Sequence, residues 1–332
     1  MTDEKQEHPI DITIAILTYN GDKYIRQILK AIRNQDIDQS FEVLVIDSGS
    51  TDSTLDIIAE FPEVRLHQIP NSEFGHGRTR NLAAKMSRGD IVVYLTHDAV
   101  PSHKKWLYEM VQPFAINPKI VGVIGKQIPR RHCFPLLRYE IGHVFSGFGP
   151  DFGTTIFYKD EFIKKRAVYD AVTFYSDANS SVRRDLLLGE IPYQDVDYAE
   201  DQLLGRDIIE RGLYKAYAPR ASVRHSNDFK LREYRKRMFD ETVALRKIGV
   251  IKWKLRRRAA IKRIIRGIIG DTIRILRDPA YGWKGEVYWI VVNPFFHIAK
   301  WRGVYKAIHV DLHNGADLTK HSLEAEIKRA KS

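Results

Sequence analysis

Four short polar clusters carry side chains capable of chemistry. Asp47 opens Asp47-Ser48-Gly49-Ser50-Thr51-Asp52, a turn rich in backbone donors and small side chains. A carboxylate there can accept from a base imide or a ribose hydroxyl; the plain alternative is that Asp47 or Ser50 caps the next helix. In Gly75-His76-Gly77-Arg78-Thr79-Arg80-Asn81 a glycine turn leads into a helix start with two arginines. Backbone amides plus guanidinium groups suit a pyrophosphate, although arginines in such places are commonly just solvated. Asp98 ends Thr96-His97-Asp98 after an apolar run. It is placed to hold Mg²⁺, which takes one or two protein carboxylates and fills its shell with phosphate and water; the alternative is a helix cap or loop acid. Glu200-Asp201 opens a further helical pattern, with His225 downstream. Paired acids at a helix start also simply complement the helix dipole.

These clusters need a scaffold, and the apolar pattern supplies one. Residues 12–17 form a β-branched apolar run ended by Thr18-Tyr19-Asn20-Gly21, and Ile25, Ile28, Leu29 and Ile32 then recur at helical spacing. A strand over 41–46, a helix over 53–60, a short strand over 64–68, a helix over 79–86 and a strand over 91–95 continue the alternation. Alternating strands and helices predict an α/β fold whose mostly parallel central sheet is covered on both faces. Ligands of such sheets sit at the carboxyl ends of the strands, where Thr18-Tyr19-Asn20-Gly21 and the Asp47 and Asp98 clusters fall.

At 332 residues, with 44% hydrophobic content, the chain can bury one large core or a core plus an appendage. Its one cysteine, Cys133, excludes an intramolecular disulfide framework and a cysteine-built zinc site, and fits a reducing compartment. The polar, acidic N-terminal residues predict no secretory signal and hence a cytoplasmic protein. A formal charge of +11 points to an anionic partner. That charge concentrates late: residues 252–277 carry ten Lys or Arg against one acid, Asp271, with Ile261, Ile264, Ile265, Ile268 and Ile269 on one helical face. Residues 287–299 are apolar and aromatic, but 13 residues interrupted by a proline lie in an interface rather than span a bilayer, which takes about 20. The boundary is therefore expected at a catalytic domain of residues 1–245 and a basic amphipathic helical region of residues 246–332.

The order and spacing of LTYNG, DSGSTDST, the loop ahead of TRN, LTHDAVP, NSSVRRDLL, EDQLLGRDIIERGLYKAYAP and the late His225 resemble the family-2 glycosyltransferases of the GT-A fold. The resemblance spans roughly residues 12–225, about two thirds of the chain. It implies nucleotide-sugar binding by Thr18, Tyr19, Asn20, Asp47, Ser48, Gly49, Arg78, Arg80, His97 and Asp98, with Asp47 facing a pyrimidine base and Arg80 assisting the diphosphate. It implies Mg²⁺ or Mn²⁺ held by Asp98 and His225. Asp201 becomes the base of a single inverting displacement, with Glu200 beside it, and Asn179 and Arg183 become acceptor-side or structural residues. One position departs from the family pattern: Thr96 stands where the metal motif often has its first aspartate.

The variant EFGHGRTRN with its THDA loop looks most like the bacterial rhamnosyltransferases. That implies dTDP-L-rhamnose as donor, with a UDP-hexose as the alternative, and a polyprenyl-linked or growing cell-surface glycan as acceptor. The basic tail then reads as a peripheral attachment to the inner face of the cell membrane. Three rivals remain. A nucleic-acid binder shares the charge but has no recognised motif and no use for an isoleucine face. A homo-oligomer interface would use that face, and a nucleotidyltransferase shares the acidic loops but gives no reason for Glu200-Asp201.

Overall fold

In a computed structural model the structure describes residues 10–161, 165–196 and 198–329. The chain divides into two compact units, Met1–Ile128 with Gly142–His225, and Pro129–Ile141 with Ser226–Ser332.

The first unit holds one sheet. Its strands are β1 (Ile12–Thr18), β2 (Phe41–Asp47), β3 (Val64–Gln68), β4 (Ile91–Thr96), β5 (Val100–Pro101), β6 (Ile120–Ile128), β7 (Thr155–Phe157), β8 (Asn179–Arg183) and β9 (Tyr214–Arg224). They lie in the order β3-β2-β1-β4-β8-β6-β9-β5, with β7 on β9. β1 to β4 pair in parallel, and β6 pairs in parallel with β9. β8 runs antiparallel between β4 and β6, so the sheet is mixed with most strands pointing one way. The helices are α1 (Asp22–Arg33), α2 (Thr54–Ala59), α3 (His76–Met86), α4 (Trp106–Val111), α6 (Arg166–Thr173), α7 (Arg184–Leu188) and α8 (Glu200–Glu210), together with the end of α5 (Pro135–Ser146), whose residues up to Ile141 belong to the second unit. The apolar spacing read in the sequence packs as expected: Ile25, Ile28, Leu29 and Ile32 of α1 bury against Ile14, Ile16, Val43 and Val45 of the sheet. Emptying one such site, as in Ile28→Ala, costs about 2–5 kcal/mol.

The second unit gathers α9 (Leu231–Lys247), α10 (Arg257–Ile275), α11 (Trp283–His309), α12 (Gly315–His321) and α13 (Leu323–Arg329). It begins at Ser226, twenty residues before the expected 246, because α9 belongs to it. Tyr234 packs with Phe296, and Phe239 and Val243 with Ala307 and Val310. Charge density marks where the basic run starts, whereas packing marks where the helical layer starts. The apolar stretch 287–299 lies inside the 27-residue α11, with Pro294 accommodated in its interior. No helix among the described residues is long and apolar enough to cross a membrane.

Candidate active site

Strand register brings the polar clusters to one edge. Thr18 pairs with Asp47, Leu17 with Thr96, Leu95 with Asn179, and Ile128 with Arg224. The ends of β1, β2, β4, β6 and β9 and the start of β8 therefore share that edge.

The first two loops are laced together. Asn20 sits at φ 48, a left-handed conformation that Asn tolerates, and its Oδ1 accepts from the Thr51 N–H at 2.8 Å. The Asn20 N–H donates to Ser50 Oγ, and the Gly21 N–H to Thr54 Oγ1. Ser48 donates through both its N–H and its hydroxyl to the Thr18 carbonyl. Thr18 Oγ1 itself is buried with no partner, and Tyr19 is half-buried beside it. Gly49 at φ +84 lets the turn reverse where other residues would be strained. Asp47 departs from expectation. It is wholly buried, and its carboxylate accepts from the N–H groups of Gly49 and Ser50 at 3.0 and 2.9 Å and from the Ser50 hydroxyl. It shapes the turn rather than presenting itself to a base, and it does not cap α2, whose first amide, that of Thr54, is met by Asp52 at 3.0 Å.

At the end of β4, His97 is half-buried and Asp98 faces His225, with Nε2 3.3 Å from Asp98 Oδ2. Gln127, in β6, fixes the ring: its Nε2 donates to Ser176 Oγ at 3.0 Å, which turns its Oε1 to His225 Nδ1 at 2.8 Å. With Nδ1 as donor, Nε2 of the neutral ring is an acceptor opposite a carboxylate, and the pair needs a proton or a cation between them. Burial raises the Asp98 carboxyl, but the His225 ring, and to a lesser degree His97 and the Thr96 hydroxyl, hold it well below the usual carboxylate range. One carboxylate and one imidazole fit Mn²⁺ or Mg²⁺ as a partial donor set that phosphate oxygens and water complete. No group of three or more His, Cys, Asp or Glu among the described residues could hold a metal by itself.

The third feature is an acidic cluster around one arginine. Ala199, at φ 66, turns the chain into α8, a strained geometry for a residue with a Cβ, of the kind that concentrates at functional sites. Glu200 Oε1 then meets Arg80 Nη1 at 2.5 Å, and Arg80 Nε stands 3.0 Å from Asp177 Oδ2. Asp177 also accepts from Ser180 Oγ at 2.6 Å and from the Tyr193 hydroxyl at 3.0 Å. Asp201 lies beside them, its Oδ2 3.4 Å from the Asp177 N–H. Burial pushes the Asp201 carboxyl well above its ordinary range, and Glu200 and Asp177 push the same way against Arg80. A carboxylate so perturbed, one step from β8 at the shared edge, is suited to take a proton.

One more expected role changes, and two residues take the structural one of their two expected roles. Arg80 is buried and committed to Asp177 and Glu200, so its charge serves the acids rather than a diphosphate. Asn179 is buried, accepting from Trp106 Nε1 at 3.0 Å and donating to the Ala221 carbonyl at 2.7 Å, so it is structural. Arg183 lies opposite Ile91, at the far end of β4, and ties down the Ile120 and Phe114 carbonyls, the structural one of its two expected roles. Arg78 stays exposed on the first turn of α3. Sequence reasoning missed Asp177 and Gln127. Their signal was position, a polar residue just ahead of a strand and another at a strand's end.

Residues 13–188 match the profile described as glycosyl transferase family 2. The chain belongs to that family. This family-2 glycosyltransferase is 31% identical over 235 residues to the O-antigen chain rhamnosyltransferase RfbN of Salmonella typhimurium, covering 70% of this chain and 71% of that one. It is 32% identical over 235 residues to the O-antigen chain rhamnosyltransferase WbaN of Salmonella anatum, with the same coverage. Among solved structures its fold matches TarS 1-349 of S. aureus in complex with UDP (TM-score 0.51, 18% identity, 90% of each chain). It also matches the mannosyltransferase PcManGT of Pyrobaculum calidifontis in complex with GDP-Man and Mn²⁺ (TM-score 0.54, 17% identity, 98% of this chain and 88% of that one). The fold of this glycosyltransferase is thus of the GT-A type with a helical C-terminal region.

Proposed function

We propose that this family-2 enzyme moves L-rhamnose from dTDP-L-rhamnose, with inversion, onto a hydroxyl of a polyprenyl-linked cell-surface polysaccharide, working at the inner face of the cytoplasmic membrane. The observation that carries the chemistry is the convergence of Asp201 and of the Asp98–His225 pair on one sheet edge. Asp201 takes the acceptor hydroxyl proton, the acceptor oxygen bonds to the anomeric carbon from the face opposite the diphosphate, and the sugar–phosphate bond breaks with its electron pair leaving on the nucleoside diphosphate. Glu200, pinned by Arg80, holds the first turn of α8 so that Asp201 meets the acceptor. Arg78 is the exposed guanidinium available to the leaving group. Asp98 and His225 would hold Mg²⁺ or Mn²⁺, which would supply Lewis-acid neutralisation of the diphosphate's charge.

The donor and acceptor rest on the similarity to the O-antigen chain rhamnosyltransferases. A nucleotide-release screen with dTDP-rhamnose, UDP-glucose, UDP-galactose and UDP-GlcNAc tests the donor. Release from dTDP-rhamnose at least about tenfold above the others is expected, a margin of roughly 1.4 kcal/mol. Preferential release from a UDP-hexose would replace rhamnose as the transferred sugar.

A further inference from the structure

Along α10 and its C-cap, Ile261, Ile265, Ile269, Ile273 and Leu276 are 45–58% exposed, and in α11 Trp283, Val287, Tyr288, Val291 and Phe295 are 55–72% exposed. The stripe on α10 differs from the expected face, because Ile264 and Ile268 are half-buried and the exposed row continues to Ile273 and Leu276. At 100° per residue the two sets cover arcs of about 120° and 140° on their helices.

The two helices pack antiparallel. Asp271 meets Asn293 at 3.2 Å and His297 at 2.8 Å, Arg263 stacks over Trp301, and Ala260 packs with Val304. Gly267 permits the approach, since a Cβ there would come within 2.5 Å of the His297 ring. The exposed stripe of α11 centres roughly 120° onward, in the sense of chain rotation, from the row facing α10, and that of α10 roughly 160–175° onward from the row facing α11. Because the chains run oppositely, two rotations of the same sense carry both stripes to the same side of the pair. Half-buried Ile268, Ile290 and Ile298 fall between them. The result is two apolar stripes on the outside of the pair, that of α10 directed largely away from α11 and that of α11 turned toward the same side. Lys262 lies within the arc of the α10 stripe and Arg266 just past its edge, with Arg277 following the helix end, all exposed. The one acid within α10, Asp271, is buried under His297.

We infer that this α10–α11 face is a docking surface for an anionic bilayer, its apolar side chains inserted among the acyl chains and its cationic rim on the headgroups. A second copy of the chain is the other conceivable cover, but a two-fold pairing would set the same cationic rim against itself. Anionic lipid complements both features. Since neither helix qualifies as a span, the pair lies in the interface rather than across it. The inference deepens the membrane reading proposed above and is independent of which sugar is transferred.

The test uses the full chain and flotation with vesicles of phosphatidylcholine, alone or mixed with phosphatidylglycerol, at low and high salt. Wild type should float with the mixed vesicles at low salt and in part at high salt, because apolar insertion is not screened. Ile265→Gln, Ile269→Gln, Val291→Gln and Phe295→Gln together should lose the salt-resistant part by about tenfold or more. Lys262→Gln with Arg266→Gln should lose the preference for phosphatidylglycerol. Each substituted position is solvent-facing, and unchanged circular dichroism and nucleotide release with a soluble acceptor would show that the fold is intact. Brominated lipid should quench wild-type fluorescence more than that of Trp283→Phe. Flotation of the four-fold variant equal to wild type would overturn the inference. So would a wild type that ignores vesicles and elutes as a dimer which the four-fold variant dissociates, since the face would then join copies of the chain. Flotation as expected without release from dTDP-rhamnose would overturn the donor reading alone.

Discussion

The Arg80 guanidinium and the Asp177 carboxylate meet 3.0 Å apart with less than a tenth of either side chain exposed. Through the same guanidinium Asp177 is joined to Glu200, so a residue just ahead of β8 and the first residue of α8 share one charge. Arg80→Met leaves three neighbouring carboxyl groups without their cation. Breaking a buried pair in this way costs about 3–5 kcal/mol, and urea denaturation should show the midpoint falling accordingly. A loss below about 1 kcal/mol would mean that the acids do not depend on Arg80.

Asp201→Asn should keep the fold and donor binding while lowering transfer by about 10²-fold or more, the scale for a positioned base. Because the folded protein disfavours the ionised form of this carboxyl, the neutral amide should leave thermal stability equal or higher at neutral pH. Transfer rates, donor titration and a melting curve check the three statements; near-normal turnover would remove Asp201 from the chemistry.

The acid limb of the rate profile should belong to Asp201. A base works deprotonated, and burial, Glu200 and Asp177 raise this carboxyl well above the ordinary carboxylate range. Rate should therefore climb with pH through a midpoint above that range. Glu200→Gln removes a like charge, favours ionisation and should move the midpoint to lower pH. The sign for stability is the reverse of the usual carboxylate case: the contribution is most favourable below the unfolded pKa and declines as pH rises toward the folded one. A midpoint that stays put in Glu200→Gln would assign the limb to another group.

Chelation should abolish transfer, and Mg²⁺ or Mn²⁺ should restore it. Asp98→Ala and His225→Ala should each weaken donor binding measured in the presence of metal. Gln127→Leu, which removes the acceptor that orients His225, should cost about 10–100-fold in metal affinity, read by metal titration of activity. Full activity in EDTA would leave Arg78 as the diphosphate's counter-charge.

What was legible in the sequence follows from short-range rules. Apolar periodicity places α1 and the parallel strands, because burial on one face dictates spacing 3.6 or a continuous run, and Ile25, Ile28, Leu29 and Ile32 obey it. The polar ends of β1, β2 and β4 mark the site edge, since a parallel sheet leaves its carboxyl ends open for ligands. Asp98 was found in this way, whereas Glu200 and Asp201, at a helix start, were singled out by the family resemblance. Which polar groups are free and which are spent on one another is another matter, because that depends on partners distant in sequence. Arg80 reaches Glu200 across 120 residues and Asp177 across 97 (177 − 80), and Asn179 reaches Trp106 across 73. No local pattern encodes such pairings. The same holds for the basic tail: its charge and isoleucines could be read directly, but only the antiparallel packing of α10 on α11 decides which of its apolar side chains are buried and which stay exposed.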